Sequence, residues 1–228
     1  TVLACTPDGG KLMHTPKYTT EENIEKREAE FVLNDQGGLS GSMKTILKGT
    51  SYDDRYHIID DAPSERIKDV QRYYPINNME IKKLTYKQDK SLNPCTTEDV
   101  ELSAKEYAAM NDGKIYFSLN SINRASSLRQ TINRVNPVCI QRGYTEEDDI
   151  TYTLPKGYKL ESEPIKKHIT KPFGNFTMTM SIENDKLVYH RTLQLKDGNY
   201  TKDTYQDLVD FFQAAVDADD YNVVLVKK

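Results

Sequence analysis

The sequence predicts a mainly β protein, built as two β-sandwich-like antiparallel domains with a short helix near residues 64–73 and a C-terminal amphipathic helix near 203–218. Apolar residues alternate with polar ones over most segments, which is typical of strands with one buried face. Short turn sequences rich in glycine, asparagine and aspartate separate these segments. Only the stretch at 203–218 carries an apolar stripe at helical spacing over several turns.

The clearest β-hairpin lies in residues 29–47. Ala29, Phe31 and Leu33 fall on one face of its first strand, with charged residues between them. The sequence Asn-Asp-Gln-Gly-Gly at 34–38 predicts a turn, because glycine readily adopts the positive φ values that tight turns require. A second alternating segment then continues to Leu47. We expect a similar long hairpin with its turn at 184–185.

Two segments favour helices. In the first, Pro63 suits the first helical turn, and Ile67 and Val70 share one face. In the second, the apolar residues lie at i, i+3, i+4 and i+7 positions: Tyr205, Leu208, Val209, Phe212, Ala215 and Val216. This stripe predicts a helix that docks on a sheet. The polar segment 122–136 lacks alternation and favours a boundary between a β-rich domain at 19–132 and a second domain at 133–228.

Composition argues against two classes of partner. The chain of 228 residues has 31 basic and 35 acidic residues and a net charge of −4. A general nucleic-acid binder normally has a basic surface, so we expect no nucleic-acid partner. No apolar run approaches the roughly 18 residues that a membrane span requires. The three cysteines could form one disulfide, but so small and odd a number favours buried free thiols.

Cys5 and His14 are the pair that raises the question of a cysteine enzyme. A nucleophilic cysteine usually lies at a helix N-terminus, where the helix dipole lowers the pKa of the thiol. Cys5 instead ends an apolar strand and enters a Thr-Pro-Asp-Gly-Gly turn. We therefore predict no catalytic residue and no cofactor. The alternative is an independent hydrolase that uses Cys5 as its nucleophile. Support for this alternative would require a Cys5 thiol that reacts faster than an ordinary free thiol.

No spacing typical of a metal site occurs in the sequence. His57, His168 and His190 are scattered, and His190 fits the surface of a strand. The acidic clusters do not match a calcium-binding loop. We therefore predict no metal site.

Tyrosine is abundant and tryptophan is absent, with 15 and 0 residues. Exposed tyrosines can form a surface for glycans or peptides, and Tyr73 and Tyr74 beside the first helix are the best candidates. The alternative is that these tyrosines pack in the sheet and keep only their hydroxyls in water.

Two stretches carry a family resemblance. Residues 5–23, CTPDGGKLMHTPKYTTEEN, resemble the exit from the transglutaminase-like core of a family of bacterial envelope proteins. The stretch from 137 onward resembles the C-terminal module of unknown function in those proteins. Its matching features are the Pro137 strand, Leu154-Pro155, Gly157-Tyr158, Phe173-Gly174, Tyr189 and Arg191, followed by the last helix and strand.

The resemblance implies a parent protein with an N-terminal β-domain and a transglutaminase-like protease or acyltransferase core ahead of this region. Residues 1–18 would be the last strand and linker of that core, and its catalytic Cys, His and Asp would precede Thr1. This implies a non-catalytic accessory region that packs on the core and shapes substrate access, in the periplasm or at the cell surface. The alternative is a stand-alone surface module for glycans or peptides.

Overall fold

A computed structural model describes residues 2–14, 17–131 and 133–228. Strands hold 50% of the residues and helices 17%, which confirms the mainly β class. The domain boundary that we expect after Ile132 falls on a residue outside the described ranges, as do Thr1, Thr15 and Pro16 of the expected linker.

The largest element is an eight-stranded sheet. Numbered in chain order and given in spatial order, its strands are β12 (Ile165–Lys171), β13 (Gly174–Glu183), β14 (Lys186–Leu195), β10 (Tyr144–Thr153), β3 (Ile24–Leu33), β4 (Leu39–Lys48), β6 (Cys95–Ala104) and β5 (Met79–Asp89). The two predicted hairpins are confirmed as β3–β4 and β13–β14. All neighbouring pairs in this sheet are antiparallel except β3–β10, which is parallel and departs from the antiparallel expectation.

The other strands of the described residues form three smaller sheets. A four-stranded sheet contains, in spatial order, β11 (Tyr158–Leu160), β16 (Asn222–Lys227), β8 (Lys114–Ser118) and β7 (Ala109–Asn111). Two further pairs are β9 (Val138–Ile140) with β15 (Gly198–Tyr200), and β1 (Val2–Thr6) with β2 (Gly9–Met13).

Both predicted helices are confirmed, as α2 (Pro63–Tyr73) and α3 (Thr204–Asp219). Pro63 begins α2, where its missing N–H costs no hydrogen bond. A short helix α1 (Thr50–Arg55) and a 3-10 turn (Tyr56–Asp60) were not predicted. The buried face of α3 also differs from the predicted stripe, because Phe211 lies in the core while Phe212 is only partly covered.

The helices lie along the buried face of the large sheet, while its other face is mostly polar and solvent-accessible. Helix α1 contacts β4 and β6, α2 contacts β5, and α3 contacts β12 and β13. A single hydrophobic cluster includes residues from both segments that we expected to form separate domains. The β3–β10 pair joins those segments within one sheet. The division into domains at 19–132 and 133–228 stays a prediction.

Candidate functional site

Cys5 lies in β1 opposite Gly10 of β2 and is exposed. The chain after it turns directly into β2, and the described residues around it contain no helix. The structural feature that activates thiols in many cysteine enzymes is therefore missing at Cys5. Cys139 is exposed as well and Cys95 is partly covered, so the expectation of buried thiols is wrong.

The histidines on the sheet belong to its surface. His190 lies on β14, where its Nδ1 is 2.6 Å from Oδ1 of Asp149, and His168 on β12 contacts Thr177. Within the described ranges, no group of three or more His, Cys, Asp or Glu residues is arranged to hold a metal ion. No described helix is long and apolar enough to cross a membrane.

The two candidate tyrosines have opposite environments. Tyr74 is 1% exposed, and its hydroxyl lies 2.9 Å from Oγ1 of Thr45 and donates to Oε1 of Glu98 at 2.7 Å. Tyr74 therefore cannot belong to an exposed ligand surface, and its inclusion is corrected. Tyr73 is 48% exposed, and the guanidinium of Arg55 lies 4.0 Å from the centre of its ring. Ligand binding at Tyr73 stays a prediction.

A line of polar residues crosses the buried face of the large sheet. Arg191, Asp148, Arg27, Thr45 and Glu98 occupy successive strands at directly opposed register positions, and we call them the polar row. Each is at most 5% exposed. Buried charges are costly unless they are paired and hydrogen-bonded, so the contacts along this row are essential to the fold.

The first half of the polar row is a chain of ion pairs. Oδ1 of Asp148 accepts a hydrogen bond from Nη1 of Arg27 at 2.9 Å. Oδ2 of Asp148 accepts one from Nη1 of Arg191 at 3.1 Å. Arg191 also donates to Oε2 of Glu146 at 3.0 Å and, through Nε, to Oδ1 of Asp219 at 2.9 Å. Because Asp219 is in α3, this arginine fixes the last helix to the sheet.

The second half is centred on Glu98. Its carboxylate accepts from Nη2 of Arg55 at 2.8 Å and from the hydroxyls of Tyr74 at 2.7 Å and Tyr86 at 2.5 Å. Burial raises the pKa of both tyrosines, and the Glu98 charge raises it further. Both hydroxyls therefore remain protonated donors at neutral pH, and donors from α1, from β5 and from the residue that follows α2 meet at one carboxylate.

Two carboxyl groups beside the row have raised pKa values. Burial is the largest cause of the raised pKa of Glu25. The charge of the facing Glu146 raises this pKa further, whereas the charge of Arg27 lowers it. Glu25 and Glu146 are direct neighbours on β3 and β10, a like-charge arrangement that disfavours two ionised groups. Burial also raises the pKa of Asp219, against the opposing effect of Arg191.

The raised pKa of Glu25 predicts a pH-dependent effect of Glu25→Gln. A carboxyl whose pKa is higher in the folded than in the unfolded state binds its proton more tightly when folded. Its ionisation therefore costs stability as pH rises above the ordinary value of 4.5 and through the raised value. We expect the stability of the variant relative to the natural chain to increase from pH 4.5 to pH 8 in urea unfolding followed by circular dichroism. A relative stability that stays constant or falls over this interval contradicts the assignment.

A cleft of about 410 Å³ opens above the middle of the polar row. Its lining combines both signs of charge with one exposed aromatic ring, that of Tyr73. The arginines are Arg27, Arg55, Arg72 and Arg124, and the acidic residues are Glu25, Asp54 and Glu146. We call it the arginine cleft. Its volume lies within the range of about 300–1,000 Å³ that small-ligand sites occupy.

The sequence contained a signal for the polar row that the motif search missed. Arg27 is in phase with Ala29, Phe31 and Leu33 on β3, and Asp148 is in phase with the buried residues of β10. Arg191 and Glu98 alternate in the same way on β14 and β6. A charged residue at an apolar position of a strand pattern indicates a buried charge that needs a partner.

Comparisons with known proteins cover part of the chain. A family model described as a domain of unknown function with a solved structure, DUF3858, matches residues 113–225. This segment contains Asp148 and Arg191 of the polar row but not Arg27, Thr45 or Glu98. No curated protein matches the chain.

One solved structure is similar to half of the chain. It is the crystal structure of a "putative protease" from Parabacteroides distasonis ATCC 8503, with 22% identity and a TM-score of 0.40 over 50% of this chain. The chain covers 24% of that protein, about a quarter of its length. A similarity at this level assigns no activity to this chain.

Proposed function

We propose that this chain is a non-catalytic accessory region that packs on a transglutaminase-like protease or acyltransferase core of a bacterial envelope protein. The observation that carries the proposal is the hairpin β1–β2, which exposes apolar side chains. Val2 and Met13 face each other across the hairpin and are each 48% exposed. Leu3 and Leu12 form the next pair and are 64% and 73% exposed.

The hairpin has the properties of an interface segment. Successive side chains of a strand point to opposite faces, so the Val2 and Leu3 pairs place apolar groups on both faces. An isolated two-stranded hairpin is marginally stable in water. Among the described strands, β1 and β2 pair only with each other, so their outer edges remain open to another strand. A partner with an open strand edge and an apolar surface would satisfy both features.

The test is binding to a separately produced transglutaminase-like core from the organism that encodes this chain. We expect isothermal titration calorimetry to detect binding, and the double variant Leu3→Asp, Leu12→Asp to weaken it by about tenfold or more, because apolar anchors dominate interfaces. Leu92→Asp is the matched control, since Leu92 is 99% exposed but lies outside the hairpin. A natural chain that does not bind the core, or a control that weakens binding equally, contradicts the proposal.

A second candidate function is a surface module that binds glycans or peptides. The arginine cleft supports this second candidate, because the cleft brings the exposed Tyr73 together with positively and negatively charged side chains. The two functions use different surfaces of the chain and are tested separately.

A further inference from the structure

We propose that the arginine cleft binds a neutral saccharide, recognised by Tyr73, Asp54, Arg27 and Arg55. This inference rests on the second candidate function and names its ligand class and its site.

Two arginines that line the cleft each have a buried hydrogen-bond donor without a protein partner among the described residues. Arg27 and Arg55 are each 5% exposed and both line the cleft. In the described part of the chain, the Nε–H of each has no hydrogen-bond acceptor. A buried donor without a partner costs about 1–3 kcal/mol, so these positions favour a ligand or a water that supplies oxygen acceptors.

The charge balance of the cleft disfavours a strongly charged ligand. Arg27 is paired with Glu25 at 2.5 Å, and Arg55 with Glu98 at 2.8 Å. The two arginines at the rim are also paired, Arg72 with Asp69 at 2.9 Å and Arg124 with Asp220 at 3.3 Å. An added anion or cation would therefore meet an opposing charge beside each attractive one. Hydroxyl groups both donate and accept hydrogen bonds, which suits alternating guanidinium and carboxylate groups.

The floor of the cleft does not offer the usual site for an extended peptide. Glu25, Arg27 and Glu146 lie on β3 and β10, and each of these strands is paired on both sides within the sheet. Peptides that add a strand to a sheet require a free edge, which these strands lack. Side-chain hydrogen bonding to a compact polyhydroxylated ligand is the mode that remains.

Tyr73 supplies an accessible apolar surface at the rim. About half of it is exposed, while the Arg55 guanidinium over its ring restricts its movement. An aromatic side chain that combines an apolar ring with a polar tip is suited to a ligand with both apolar C–H and hydroxyl groups. Asp54, on the neighbouring helix α1, is exposed and available as an acceptor.

The experiment is a glycan array that includes neutral, sulfated and sialylated glycans, probed with the natural chain beside an array of basic and acidic peptides. We expect retention of neutral glycans. Titration calorimetry with the best-retained neutral glycan should show a loss of roughly tenfold in affinity for Tyr73→Ala and for Asp54→Ala, the change that about 1.4 kcal/mol produces. Tyr56→Ala is the matched control, because Tyr56 is 51% exposed and lies outside the cleft.

Each outcome has a defined meaning. Binding of neutral glycans that depends on Tyr73 and Asp54 but not on Tyr56 supports the inference. Retention of peptides alone, sensitive to Tyr73→Ala, overturns the saccharide inference but preserves the binding-module function. Retention of charged glycans alone contradicts the charge argument. If neither array retains the chain, both the inference and the second candidate function fail.

Discussion

Replacing Arg191 with methionine is expected to lower the free energy of unfolding by about 3–5 kcal/mol. The side chain is fully buried, and its guanidinium pairs with Glu146 and Asp148 on β10 and with Asp219 on α3. Its removal leaves these acidic groups close together, with Arg27 as the ion-pair partner that Asp148 keeps. Since whole domains are stable by only about 5–15 kcal/mol, urea unfolding will detect the loss easily.

The control for this prediction is Arg72→Met, which makes the same chemical change at a side chain that is 76% exposed. We expect it to change the free energy of unfolding by no more than about 0.5 kcal/mol. Arg191→Lys keeps the charge but loses the fork of donors, so its loss should be smaller than that of Arg191→Met. Equal stabilities of Arg191→Met and Arg72→Met would show that the polar row does not hold the sheet and α3 together.

Replacing Phe173 with alanine is expected to cost about 3–5 kcal/mol, the range for buried aromatic residues. Phe173 is 0% exposed and lies between β12 and β13, where its ring centre is 5.5 Å from that of Phe211 and 6.0 Å from that of Tyr200. Both contacts are perpendicular ring arrangements, which are favourable for aromatic pairs. The cavity would therefore open directly under α3.

Phe212→Ala is the matched control. Phe212 is also a phenylalanine, directly follows Phe211 on α3 and is only partly covered. We expect it to cost less than half as much as Phe173→Ala in chemical unfolding. Backbone amide hydrogen exchange should also accelerate in α3 for Phe173→Ala. Equal losses for the two variants would contradict the expectation that the packing of Phe173 against Phe211 stabilises the position of α3.

The strands and helices of this protein were largely predictable, because they depend on local patterns. The hairpin β3–β4 follows from alternation on both sides of a glycine turn, and α2 and α3 follow from helical spacing. The buried face of α3 was predicted with Phe212 in place of Phe211, since either of these adjacent phenylalanines fits an apolar stripe. Phe211 is buried because Phe173, 38 positions earlier in the chain, packs against it.

Strand order was not available from the sequence. The parallel pair β3–β10 joins residues 24–32 to 145–153, and no turn or composition signal links such distant segments. Alternation indicates that a strand has a buried face, but many strand orders bury the same faces. The continuity of the sheet across the expected boundary was therefore decided by tertiary packing.

In the candidate site, too, some features depend on the local sequence and others depend on the folded structure. The sequence by itself determined that Arg27, Asp148, Arg191 and Glu98 occupy core-facing positions, because the direction of a strand side chain depends on local backbone geometry. It did not determine which charges meet. Arg27 and Asp148 are 121 positions apart, and only the register of the folded sheet places them 2.9 Å from each other. The burial of Tyr74 and the opening of the cleft beside Tyr73 likewise depend on the helices and loops that pack over this row, and only the tertiary structure decided them.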